Sequence, residues 1–106
     1  SCVARGDLPY AFESYGRWWN KGEEIDLVAL NVENNEILFG EAKWSKRPVG
    51  VDVYQSLREK SKKVVWGRTG RREHLCLFSR SGYTREMREV GAREKVLLFH
   101  GDRLIG

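Results

Sequence analysis

The chain has little of several things that would narrow its chemistry. It holds two cysteines, Cys2 and Cys76, in 106 residues. Two thiols are too few for a four-ligand zinc site or a disulfide framework. Cys76 lies in the apolar run Leu75-Cys-Leu-Phe78 and is expected to be core packing. The two histidines, His74 and His100, stand far apart in sequence and are expected to be structural rather than ligands. No apolar run reaches the roughly 18 residues that a membrane-spanning helix needs. Residues 1–15 lack a basic start followed by an apolar run, so the sequence reads as cytoplasmic, with no membrane partner. The loop Gly67-Arg-Thr-Gly-Arg-Arg72 lacks the spacing and the Lys-Ser/Thr ending of a phosphate-binding P-loop. No internal repeat and no low-complexity tract is present.

What remains is globular: 41% hydrophobic and 32% charged residues, read as a single domain over residues 1–106. The net charge of +4 hides a segregation. Residues 1–42 carry 3 basic and 8 acidic groups, whereas residues 43–72 carry 10 basic and 2 acidic. A carboxylate-rich segment followed by a concentrated basic one suits a site acting on an anionic polymer.

The acidic segment contains the stretch around which the chain is organised. Glu24-Ile-Asp-Leu-Val-Ala-Leu-Asn-Val32 and Ile37-Leu-Phe-Gly-Glu-Ala-Lys43 read as two apolar strands. Charges inside strands this apolar are costly unless they are paired or hold a metal. A tight turn at Asn34-Asn35 pairs Glu33 with Glu36, Val32 with Ile37, Val28 with Glu41 and Asp26 with Lys43. Alternation then gathers Asp26, Glu41 and Lys43 on one face, with Glu24 one step beyond. A four-residue loop keeps that parity; a three-residue loop breaks it. Two carboxylates about 7–8 Å apart at the backbone, on the diagonal of a strand pair, can reach one hard divalent cation.

These residues carry a resemblance. Gly22-Glu-Glu-Ile-Asp26, an apolar strand, and then Phe39-Gly-Glu41-Ala-Lys43 resemble the PD-(D/E)xK nuclease signature of the restriction-endonuclease-like fold. Gly16-Arg-Trp-Trp19, Lys21-Gly-Glu-Glu-Ile-Asp26 and Gly40-Glu-Ala-Lys-Trp44 resemble, more particularly, the C-terminal nuclease-like domain of archaeal P-loop ATPases. The resemblance covers roughly residues 12 to 100. It departs from the superfamily pattern in two places. Ile25 stands where a proline is usual, and the family's first helix is largely missing before Ser1. The resemblance implies a metal-dependent endonuclease domain hydrolysing DNA, with Mg²⁺ or Mn²⁺ as cofactor. It implies Asp26, Glu41 and Lys43 as catalytic residues, with Asp26, Glu41 and the carbonyl of Ala42 as metal ligands. Glu24 and Gln55 would be auxiliary. It also implies an ATPase domain in the same or a longer chain. The alternatives are a nucleic-acid-binding module without turnover and a regulatory domain of an archaeal ATPase.

The remaining elements follow from local signals. Ser1 to Pro9 reads as a helix end and loop, and Tyr10–Trp19 as a strand closed by a turn at Asn20-Lys21-Gly22. Val51–Trp66 has an apolar stripe at helical spacing, with Gly67 as its stop. Glu73–Ser79 is a strand. Thr84 caps a short helix that Gly91 ends, and Lys95–His100 is the last strand before a turn and a short end piece. The order is three strands, helix, strand, helix, strand: an α/β fold with a mixed central sheet flanked by helices. Gly40 and Ala42 keep one sheet face low enough for a helix. Without a first helix, an apolar face would stay open to a partner or a homodimer. Lys46, Arg47, Lys60, Lys62, Lys63, Arg68, Arg71 and Arg72 are the expected phosphate contacts on DNA.

Overall fold

The computed structural model describes residues 12–105. Its elements are β1 (Ser14–Asn20), β2 (Glu23–Asn31), β3 (Glu36–Lys43), α1 (Val51–Ser61), β4 (Arg72–Ser79), α2 (Arg85–Glu94), β5 (Leu97–His100) and β6 (Arg103–Leu104). The strands form one six-stranded sheet whose spatial order is the chain order. β1, β2 and β3 run antiparallel, β4 and β5 add in parallel, and β6 turns back on β5. This is the expected mixed α/β sheet, with the short end piece as a sixth strand. The two crossovers advance across the sheet in the same direction, so right-handed connections place both helices on the same face.

That face holds the larger core. Ile25, Ile37, Phe39 and Leu77 from the sheet meet Tyr54 and Leu57 of α1 and Met87 and Val90 of α2. Ala29, Leu38, Cys76, Phe78 and Phe99 fill the other face. These side chains are buried, so the open apolar face expected there is absent at these positions. Gly40 serves that face differently from the expectation. Both described helices pack on the opposite side, and a Cβ on Gly40 would stand 2.9 Å from Cys76 Sγ and 3.2 Å from Leu27. Among the described residues the glycine makes room for neighbouring strands. The leading segment and the start of the predicted first strand lie outside the described residues.

Three boundaries differ from the sequence pattern. The β2–β3 connection is a four-residue loop, because Asn31 pairs with Glu36 and its side chain accepts the Asn34 N–H at 3.0 Å. Asn35, at φ 55°, uses its amide to bind Arg68 on both backbone sides. α1 ends at Ser61 rather than Trp66. Arg71 explains this: its guanidinium donates to the carbonyls of Val64 and Trp66 at 2.8 Å and of Ser61 at 3.3 Å. Those carbonyls turn to the arginine instead of continuing the helix, Val65 is 99% exposed, and Gly67 bends a loop rather than ending a helix. α2 begins as expected, with Thr84 accepting from Met87 N–H, but runs through Gly91 to Glu94. Lys95 supplies the left-handed stop, and Gly91 lets Leu98 approach the helix.

Candidate active site

The four-residue loop moves the β2–β3 register by two from the tight-turn reading. Leu27 pairs with Gly40 and Val28 with Phe39. Asp26 therefore falls opposite Glu41, not Lys43. The β1–β2 register adds an irregularity with no counterpart in the local residue pattern. Gly16 pairs with Val28 but Trp18 with Ile25, so Arg17 alone faces Asp26 and Leu27. Such a bulge re-aims the side chains beside it. Ile25 consequently joins Val28 and Leu30 in the helix-covered core, against simple alternation.

The bulge brings a further cation to the expected group of four charges: one Arg17 nitrogen, Nη2, stands 3.5 Å from both the Glu24 and the Asp26 carboxylates. Asp26 lies at the junction. Its Oδ2 accepts the Ala42 N–H at 2.9 Å, and Arg17 reaches its Oδ1 at 3.5 Å. Glu41 is buried, and its Oε1 accepts from Lys60 Nζ at 2.8 Å. The two carboxyl groups are near enough for each to shift the other's acidity. An Asp26–Lys43 ion pair, the purely structural reading of these charges, is not formed. Arg17 and Lys60 are the partners instead.

The environments of the two acids push them apart. Burial would raise Asp26, but hydrogen bonds from Glu41, Ala42 and Arg17 outweigh it and hold the carboxyl below its ordinary value. Burial raises Glu41, the bond to Asp26 raises it further, and Lys60 offsets part of the rise. Paired carboxylates of unequal acidity are a usual feature of acid–base and metal sites.

A cleft of about 180 Å³ opens beside them, lined by Glu41, Lys43, Asp52, Val53, Ser56 and Lys60. It adjoins a second, of about 340 Å³, that shares Lys43, Asp52 and Val53 and continues past Arg47 to Thr84. Lys43 stands exposed on the rim of both. Gln55 is exposed and lines neither; Asp52, Ser56 and Lys60 present that helix to the cleft. A larger cleft, about 610 Å³, lies between Tyr54, Arg58, His74 and Glu94, away from the carboxylate pair.

Of the expected phosphate contacts, Lys46, Arg47, Lys62, Lys63, Arg68 and Arg72 are exposed. Lys62 and Lys63 pair with Glu59 and Glu23. Lys60 and Arg71 are engaged internally. Sequence reasoning missed Arg17 and Asp52 as site groups and assigned Lys60 to phosphate instead of to the carboxylates. For Lys60 a signal existed: Val53, Ser56 and Lys60 recur at i, i+3 and i+7, one face of α1.

Asp26 and Glu41 offer hard oxygen donors, which suit Mg²⁺ or Mn²⁺ with water in the other positions. Among the described residues no group of three or more His, Cys, Asp or Glu side chains is placed to hold a metal ion. Any ion would rest on this pair and on backbone oxygen.

Fold and site together define a small α/β domain with a mixed six-stranded sheet and, at one end of the β2–β3 hairpin, a carboxylate pair of which Glu41 is buried and Asp26 half-buried. The chain belongs to the DUF234 family, archaeal and bacterial proteins of unknown function, whose model matches residues 1–65. It is similar to an uncharacterized protein of Methanocaldococcus jannaschii, 48% identical over 59 residues, or 54% of this chain. The match spans 13% of that protein's length. No solved structure gives a significant match.

Proposed function

We propose that this domain is a metal-dependent endonuclease of the PD-(D/E)xK kind that hydrolyses DNA phosphodiester bonds. One observation carries the reading. Asp26 and Glu41 fall opposite each other on successive strands, Asp26 accepting the Ala42 N–H at 2.9 Å, with Lys43 two residues on at the mouth of the adjoining cleft. A bound Mg²⁺ or Mn²⁺ would supply an activated water and charge relief at the phosphoryl oxygen. In this reading Asp26, fixed by the Ala42 N–H, and Glu41, fixed by Lys60, hold the ion together with the Ala42 carbonyl. Lys43 orients the attacking water or takes its proton. Lys46 and Arg47, near the second cleft, are the nearest exposed cations for the phosphates. In this reading the domain is an accessory part of a longer archaeal ATPase, whose remaining parts would position the substrate.

The test uses duplex, single-stranded and branched DNA with Mg²⁺ or Mn²⁺. Lys43→Ala should lower cleavage by about 10²–10⁴-fold while leaving DNA affinity nearly unchanged. Asp26→Asn should weaken Mn²⁺ binding and cleavage together. No cleavage of any DNA by the wild-type chain sinks the reading.

A second reading has its own observation. Lys60 and Arg17 already neutralise Glu41 and Asp26. A domain so balanced can serve as a nucleic-acid-binding or regulatory module without turnover. Salt-dependent DNA binding without cleavage would select it.

A further inference from the structure

The unexpected member of the site is Lys60. Its Nζ lies 2.8 Å from Glu41 Oε1 and 2.8 Å from the Glu24 carbonyl oxygen. Its side chain is 16% exposed and that of Glu41 10%, so this is the most enclosed carboxylate–ammonium pair among the described residues. The lysine projects from the last turn of α1, just before the backbone that Arg71 fixes. Lys43, by contrast, is exposed and forms no ion pair among the described residues.

Two carboxyl groups brought close together and partly withdrawn from water need a positive charge beside them. Lys60 provides it on the Glu41 side, as Arg17 does more loosely on the Asp26 side. A lysine is suited to a reversible version of that task. It is a compact charge on a four-carbon stem, and among the described residues its other partner is a neutral carbonyl.

We propose that Lys60 is the resident counter-cation of the Asp26–Glu41 pair and that a divalent cation enters by displacing its ammonium from Glu41. This deepens the endonuclease reading and rests on it. The exchange gives the site a built-in threshold: the pair stays neutralised until divalent ion is abundant enough to compete. Arg17, Lys43, Asp52 and Glu24 are the other charged groups near the exchange, and none of them bonds both a carboxylate of the pair and the backbone of β2.

The test measures Mn²⁺ binding to the 106-residue chain by the loss of free-ion paramagnetic signal, beside melting temperatures in chelator and in Mn²⁺. Lys60→Met removes the competing charge and keeps the apolar stem. Lys62→Met, on the exposed side of the same turn, controls for net charge, and Lys60→Arg restores the charge. Lys60→Met should bind Mn²⁺ about tenfold tighter than wild type or more, as expected when a neighbouring like charge is removed. Lys62→Met and Lys60→Arg should remain near wild type. The melting deficit of Lys60→Met in chelator should shrink when Mn²⁺ is added. Equal or weaker Mn²⁺ binding by Lys60→Met, with wild-type binding intact, overturns the exchange and leaves Lys60 a strut. A Lys60→Met chain that stays unfolded even in Mn²⁺ overturns it too. Absence of Mn²⁺ binding in every variant, wild type included, sinks the endonuclease reading and the exchange together.

Discussion

At the scale of single residues, Glu41 carries the clearest consequence. Its carboxyl is held above the ordinary value by burial and by Asp26. A group raised in this way contributes stability that is full below its unfolded value and is lost as pH climbs through the folded one. Asp26, held low, behaves oppositely: its contribution is present above the unfolded value and is lost on acidification. Glu41→Gln deletes the first dependence and leaves Lys60 without its carboxylate. The variant's melting deficit against wild type should be greatest in acid. It should narrow as pH rises through and above the ordinary glutamate range, because wild type alone pays the growing cost of ionising Glu41. Melting curves between about pH 4 and about pH 7 check it. A constant difference would mean that Glu41 titrates as a free surface acid.

At the scale of elements, α2 makes the sharpest case. Gly91 sits inside the helix, and an added Cβ would stand 2.8 Å from Leu98 Cδ1, a side chain only 2% exposed. Alanine favours a helix by about 1 kcal/mol over glycine. Overpacking a filled core costs about 1–3 kcal/mol. Gly91→Ala should therefore destabilise by about 1 kcal/mol despite its better helix propensity, read as a lower urea midpoint with an unchanged slope. A stabilised variant would show that Leu98 can yield. The same residue marks where sequence reading stopped. Strand and helix periods placed every described element but the two-residue β6, because one-sided burial writes itself into spacing. Gly91 and Gly67 were read as helix stops because a glycine's local meaning is the same whether it ends a helix or makes room for Leu98. The register error at Asn34 has a similar origin: Asn31 and Asn35 act through side-chain bonds to distant backbone, which no local pattern reveals. The carboxylate pair itself was legible, since Asp26 and Glu41 interrupt apolar strands. Its counter-ions were not, because Arg17 and Lys60 arrive through a bulge and a helix end.

At the scale of the molecule, the two sheet faces carry different burdens. The helix-covered face contains the main core and opens at one end onto the carboxylate site. The other face is closed at Leu38, Cys76 and Phe99, so an interaction with a second copy or an ATPase domain cannot begin from an open apolar surface at those positions. Exposed Trp19, which Arg17 approaches at 5.9 Å, marks the outer strand instead. The charge segregation survives folding only in part: Lys60 and Arg71 are drawn inward, and Lys63 bonds Glu23. The basic surface left for an anionic polymer is smaller than the composition suggests.

Strand order equal to chain order has a consequence in time. β1, β2 and β3 form a contiguous meander whose pairings are local, and such contacts form early. α1 is joined only by the longer crossover that follows. The acids of β2 and β3 are therefore brought face to face before Lys60, the cation of Glu41, is in place, and the half-assembled sheet has only Arg17 of β1 to offset their repulsion. Closing the helix onto the sheet is then an electrostatic latch applied late. Lys60→Met should fold at nearly the wild-type rate and unfold faster, as stopped-flow chevrons would read it. Slowed folding with unchanged unfolding would put the latch before the barrier.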